Sequence, residues 1–123
     1  MVKRALLLIL LINLSCSTVP GTGRSQLNLM TSTQEISLGA QSYKQILRGE
    51  KIIESGKDAE MVKNIGRKIA VSAQELFPTS NAKKFRWEFK LVDNQEIINA
   101  WALPGGKVAI YTGLLNITQD EDS

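Results

Sequence analysis

The chain has 123 residues, 43% hydrophobic and 22% charged, within the ordinary range of a single folded domain. It contains no histidine and one cysteine, which excludes serine–histidine and cysteine–histidine nucleophile pairs, any zinc site that needs imidazole, and an intrachain disulfide. The formal charge of +3 falls to +1 once Lys3 and Arg4 are set aside with the apolar leader they head, so the basic pI gives no ground for a nucleic-acid partner.

Lys3 and Arg4 form a short positive head, residues 5–14 an almost unbroken apolar run, and the small residues Ser15 and Cys16 follow. As a helix, such a run rises about 15 Å, roughly half a bilayer core, so residues 1–15 read as a secretory signal rather than a spanning helix. The lone Cys16 resembles the lipobox cysteine of bacterial lipoproteins, which takes up acyl chains after cleavage; Ser15 fits that pattern, while Asn13 and Leu14 depart from it. The resemblance implies lipidation of Cys16 and a membrane-surface anchor. With Cys16 lipidated, Ser17 resembles the outer-membrane sorting class, which implies the periplasmic side of a bacterial cell envelope. Residues 16–31 then read as a flexible tether, and the folded part is expected over 32–123.

Ser32 and Glu35 have the spacing of a capping box and predict a helix over 32–47, with Ile36, Ala40, Tyr43 and Leu47 on its apolar face and Gly49 as its stop. A second helix is predicted from Asp58, whose carboxylate can cap it, to Pro78, which ends it. Val62, Ile65, Ile69, Ala73 and Leu76 form its apolar stripe, with Lys63, Arg67 and Lys68 largely off it. The period then changes. Over 85–91 every odd position is apolar and every even one charged, which predicts a strand with one face buried and one wet. Asp93 and Asn94 make a turn, and two more strands are expected over 97–103 and 108–112. Pro104 and Gly105 join them as the central pair of a type II turn. The expected fold is α+β: two N-terminal helices followed by a three-stranded antiparallel meander, with Phe85, Trp87 and Phe89 as an apolar patch awaiting a covering helix. Thr118 and Glu121 repeat the capping-box spacing, and the acids at 120–122 suit a helix start, so the chain is expected to be the front part of something longer.

Candidates for chemistry are few. Glu35, Glu50, Glu54, Asp58 and Glu60 fall at caps or on polar faces, where solvation is the ordinary role. Gly21 and Gly23 have no strand before them, and no phosphate loop of the GxxxxGK[ST] type exists. The hairpin over 99–115, NAWALPGGKVAIYTGLL, is different. It resembles the segment before the zinc site in HExxH metallopeptidases of the CAAX-prenyl-protease and HtpX type, metallopeptidase family forty-eight, and it meets every fixed position of N-A-[FW]-x-x-P-G-G-x-[IV]-x-[IV]-x-x-G-L-L. The run QEISLG from Gln34 to Gly39, and the stretch from Asp58 to Gly66, resemble that family's first two helices.

The resemblance implies an incomplete zincin-like domain of a periplasmic lipoprotein peptidase. Its substrates would be unfolded or misassembled envelope polypeptides. A substrate would lie along the hairpin as an added strand, with Asn99, Ala100, Trp101, Ala102, Leu103, Pro104, Gly105 and Gly106 as the binding residues and Trp101 turned to the opposite face from the two alanines. Zinc is the implied cofactor, but the HExxH ligands are absent, so no catalytic or metal residue is assigned and the chain is expected to be inactive alone. The other reading is a non-catalytic lipoprotein module that binds extended polypeptide by strand addition at the same edge.

Overall fold

A computed structural model describes residues 16–19, 22–27, 29–78 and 80–118; the expected signal, 1–15, and the acidic residues 119–123 lie outside them. The chain divides into two compact units, Met1–Thr31 and Ser32–Ser123. In the first, within the stretch expected to be a tether, β1 (Cys16–Thr18) pairs antiparallel with β2 (Ser25–Leu27), Cys16 facing Leu27. The Val19 N–H donates to the Arg24 carbonyl at 2.8 Å and closes the connection. No helix of the described residues is long and apolar enough to cross a membrane.

The second unit begins with α1 (Ser32–Ile46), which ends in a turn where Gly49 takes φ +89°. Ser32 falls inside the first turn, and its hydroxyl accepts a hydrogen bond from Asn81 Nδ2 at 2.7 Å. A short strand that the sequence did not signal, β3 (Ile52–Ile53), precedes α2 (Lys57–Leu76). The residue capping α2 is Gly56 and not Asp58, which lies in the first turn and there favours the positive end of the helix dipole. The buried face of α2 is Ala59, Val62, Gly66 and Ala70, rotated from the predicted stripe: Ile69 and Leu76 are exposed. Small residues occupy the contact because α2 lies close against the strand over residues 88–92, with Gly66 over the Phe89 ring.

A 3₁₀ turn (Asn81–Lys84) leads to β4 (Glu88–Val92), followed by β5 (Ala100–Leu103), β6 (Lys107–Tyr111) and the short α3 (Thr112–Thr118). The strands form one sheet in the order β3-β4-β6-β5, antiparallel at both ends and parallel between β4 and β6. The α+β class holds, while the three-stranded antiparallel meander is replaced by a four-stranded mixed sheet. The inserted strand is β6. Its residues are buried on one face, Ala109 completely, and half-buried on the other, whereas β5 alternates between exposed and half-buried positions, as an edge strand does.

The helices lie on opposite faces of this sheet, because successive strand residues point opposite ways. Tyr43 of α1 packs with Val92, Ala109 and Tyr111; Ala59 and Val62 of α2 pack with Leu91. Leu91 and Val92 are the largest fully buried side chains, each worth about 1.5–3 kcal/mol of hydrophobic stabilisation. The predicted wet face holds at the start of β4, where Glu88 is exposed and Lys90 Nζ reaches Glu54 Oε1 at 2.9 Å; at its end both faces are covered, Leu91 by α2 and Val92 by α1. Phe85, Trp87 and Phe89 are half-buried; Phe85 meets Trp87 at a tilt, 5.5 Å between ring centres, and Trp87 stacks on Phe89 at 6.0 Å. Only Phe89 of the three belongs to the strand.

Candidate substrate edge

β5 ends the sheet, and among the described residues no strand pairs with its outer side. Its register sets which backbone groups face outward. Ala100 faces Ile110, Trp101 faces Ala109, Ala102 faces Val108 and Leu103 faces Lys107. The Tyr111 N–H donates to the Asn99 carbonyl at 3.1 Å, so Asn99 and Tyr111 are a hydrogen-bonded pair. The alternation of an antiparallel ladder then directs the N–H and C=O of residues 99, 101 and 103 to β6, and those of Ala100 and Ala102 to the open edge. One outward donor is already engaged: the Ala100 N–H donates to Asn99 Oδ1 at 2.9 Å. The edge therefore offers the Ala100 carbonyl and both main-chain groups of Ala102.

The side chains divide as the period of two requires. Trp101 and Leu103 turn to the α1 face and join its core. The Trp101 ring meets Tyr43 edge-on at 5.7 Å and 73°, and its indole N–H points to the Tyr111 hydroxyl at 3.4 Å. Tyr43 in turn donates its hydroxyl to the Val108 carbonyl at 2.9 Å. Burial, helped by the charges of Glu88 and Glu54, raises the Tyr43 pKa and keeps that donor protonated. A rigid aromatic layer thus backs the edge strand. Ala100 and Ala102 are exposed on the other face and leave the approach to the edge unobstructed.

The turn fixes where the strand ends. Gly105 and Gly106 both take positive φ, +90° and +76°, so the loop asks more of the sequence than the single glycine of a type II turn. α1 reaches the turn at Gly39, where an added Cβ would collide with the Pro104 carbonyl. Lys107, just after the turn, is 5% exposed, and its ammonium donates to the Arg86 carbonyl and Glu88 Oε1, both at 2.6 Å. The sequence gives Lys107 no role; its place between two glycines and an apolar run was the available signal.

A second feature went unread. On the α2 face, Met61, Ile65, Ile69, Val108, Ile110 and Leu114 help to line an apolar groove of about 270 Å³. Val108 and Ile110 are the direct cross-strand partners of Ala102 and Ala100, so the groove and the alanine edge share one face of the sheet. The upper part of the predicted α2 stripe lines this groove instead of filling a core.

The donor chemistry for a metal is lacking. The chain has no histidine, and the described residues include no group of three Cys, Asp or Glu able to hold an ion. These residues do not fit a zinc site. Cys16 opens β1, in the other unit.

The chain is an α+β domain with an open edge strand beside an apolar groove, and comparison with known proteins gives its family. Residues 58–123 match the model of Peptidase family M48, more than half of the chain, and the chain belongs to that family. The matched region runs from α2 through α3 and includes the hairpin and the groove; α1 and β3 precede it. A 38-residue stretch is 50% identical to the mitochondrial metalloendopeptidase OMA1 of Arabidopsis thaliana. That stretch is 31% of this chain and 8% of the relative, so the chain spans a small fraction of that protein's length.

Proposed function

We propose that these residues supply the substrate-holding part of a zinc metalloendopeptidase whose metal ligands lie outside this sequence. The observation that carries the reading is the open edge of β5, with Ala102 presenting both a donor and an acceptor outward and only small side chains beside it. An extended polypeptide added there gains main-chain hydrogen bonds that are indifferent to sequence, and the adjoining apolar groove selects for a hydrophobic side chain. Membership of the M48 family supports the proteolytic role. Zinc, when held by the complete enzyme, would polarise the scissile carbonyl and activate water; the residues here bind and orient.

The setting belongs to the same proposal: an exported chain anchored through lipidated Cys16 at the periplasmic face of the outer membrane, acting on unfolded or misassembled envelope proteins. Incorporation of labelled palmitate that is lost in Cys16→Ser supports the anchor, and equal incorporation in both chains overturns it.

The central test uses the ¹⁵N-labelled 123-residue chain with unfolded casein. The amides of Ala100 and Ala102 should shift while casein stays intact, with or without chelator. Absence of shifts at the edge removes the holding role, and chelator-sensitive cleavage by this chain removes the placement of the metal ligands. Binding without any proteolytic form of the protein in cells would favour the non-catalytic module.

A further inference from the structure

We propose that the cavity between α1 and the Pro104–Gly106 turn binds a carboxylate carried by a polypeptide. The cavity, about 160 Å³, is bordered by Lys44, Arg86, Glu88 and Lys107, with Ile36 and Ala40 as an apolar wall. Three cationic residues and one carboxylate line it. Glu88 accepts from Lys107 and balances it alone, which leaves the charges of Lys44 and Arg86 in excess. Lys107 is buried and commits two of its three ammonium N–H donors, to the Arg86 carbonyl and to Glu88. The phenol of Tyr43, which also lines the cavity, is committed as a donor to the Val108 carbonyl and adds no negative charge.

The ligand class follows from size and sign. The two uncompensated cations call for an anion. The small volume and the Ile36–Ala40 wall admit a carboxylate on a short aliphatic stem. Its attachment to a polypeptide rests on the proposed function: Leu103, the last residue of the edge strand, leads directly into the turn that borders the cavity.

The probe is sodium propionate, followed by amide shifts in the ¹⁵N-labelled 123-residue chain. Propionate should move the Gly105 and Lys107 amides saturably, and propionamide should not. Lys44 and Arg86 are exposed, so the double variant K44Q/R86Q keeps the fold and should bind propionate about tenfold more weakly. An equal response to propionamide, unchanged affinity in the double variant, or tighter binding of inorganic phosphate than of propionate overturns the assignment. Ala102→Pro removes the edge donor and leaves the cavity intact, so propionate binding survives in it even if polypeptide does not bind at β5. Peptides with the carboxylate at the carboxyl terminus or on an internal glutamate separate the two sources. An uncharged peptide that binds as tightly as either refutes a carboxylate site.

Discussion

Ala102→Pro tests the edge most directly, because the register makes it a selective change. The Ala102 N–H points away from β6, so proline removes a donor that the sheet does not use. The residue before it, Trp101, is already extended, as a pre-proline position prefers. Stability should therefore change by no more than about 1 kcal/mol, the scale of a compatible proline substitution. Binding should suffer more. Of the outward groups at the edge, the Ala100 N–H is engaged by Asn99, leaving two acceptors and the Ala102 donor. Losing that donor forfeits one net hydrogen bond, about 0.5–1.5 kcal/mol, and weakens the edge by about 2- to 12-fold. Trp101→Pro is the contrast: it removes both a ladder N–H and a ring packed on Tyr43, and should cost about 3 kcal/mol or more of stability. Thermal melts and titration with unfolded polypeptide measure both quantities. If Ala102→Pro destabilises as much as Trp101→Pro, the register argument is wrong; if it folds and binds polypeptide unchanged, β5 is not the binding edge.

Gly39→Ala forces a Cβ into the Pro104 carbonyl, and it should lower stability by about 1–3 kcal/mol in a denaturant titration. A stability equal to that of the parent refutes the close approach of α1 to the turn. The raised pKa of Tyr43 carries a signed pH dependence. Unfolded tyrosine ionises near pH 10, while the folded phenol holds its proton, so stability should fall as pH rises above about 10, with a limiting slope of about 1.4 kcal/mol per pH unit from this group. In Tyr43→Phe that contribution disappears, at a cost of about 1 kcal/mol at neutral pH for the lost bond to the Val108 carbonyl. Identical alkaline profiles in the two chains would show that Tyr43 is not the group responsible.

Local patterning made both long helices and the hairpin legible, and non-local contact decided what it could not. Ile36, Ala40, Tyr43 and Leu47 recur at helical spacing, and α1 lies where they predict, with Gly49 at positive φ just past its end. For α2 the ends were legible and the face was not. Apolar spacing favoured Ile65 and Ile69, but the sheet receives Ala59, Val62 and Gly66, because the Phe89 ring fills the space that larger side chains would need at Gly66. Strand order was the larger miss. Strands adjacent in sequence commonly pair, which made a meander the natural expectation, yet β6 carries a nearly continuous apolar run, Val108 to Tyr111, and that composition suits an interior strand better than the rim. β5, with its two exposed alanines, could then occupy only the rim. The exchange matters for the candidate site more than for the class of fold. Had β5 lain between β4 and β6, its outward N–H and C=O groups would have been spent within the sheet, and the same Asn-Ala-Trp-Ala sequence would have been a buried strand with nothing to offer a polypeptide. The hairpin motif thus acquires its proposed role from its position at the rim, which β6 secures by taking the sheet's interior and pairing parallel with β4.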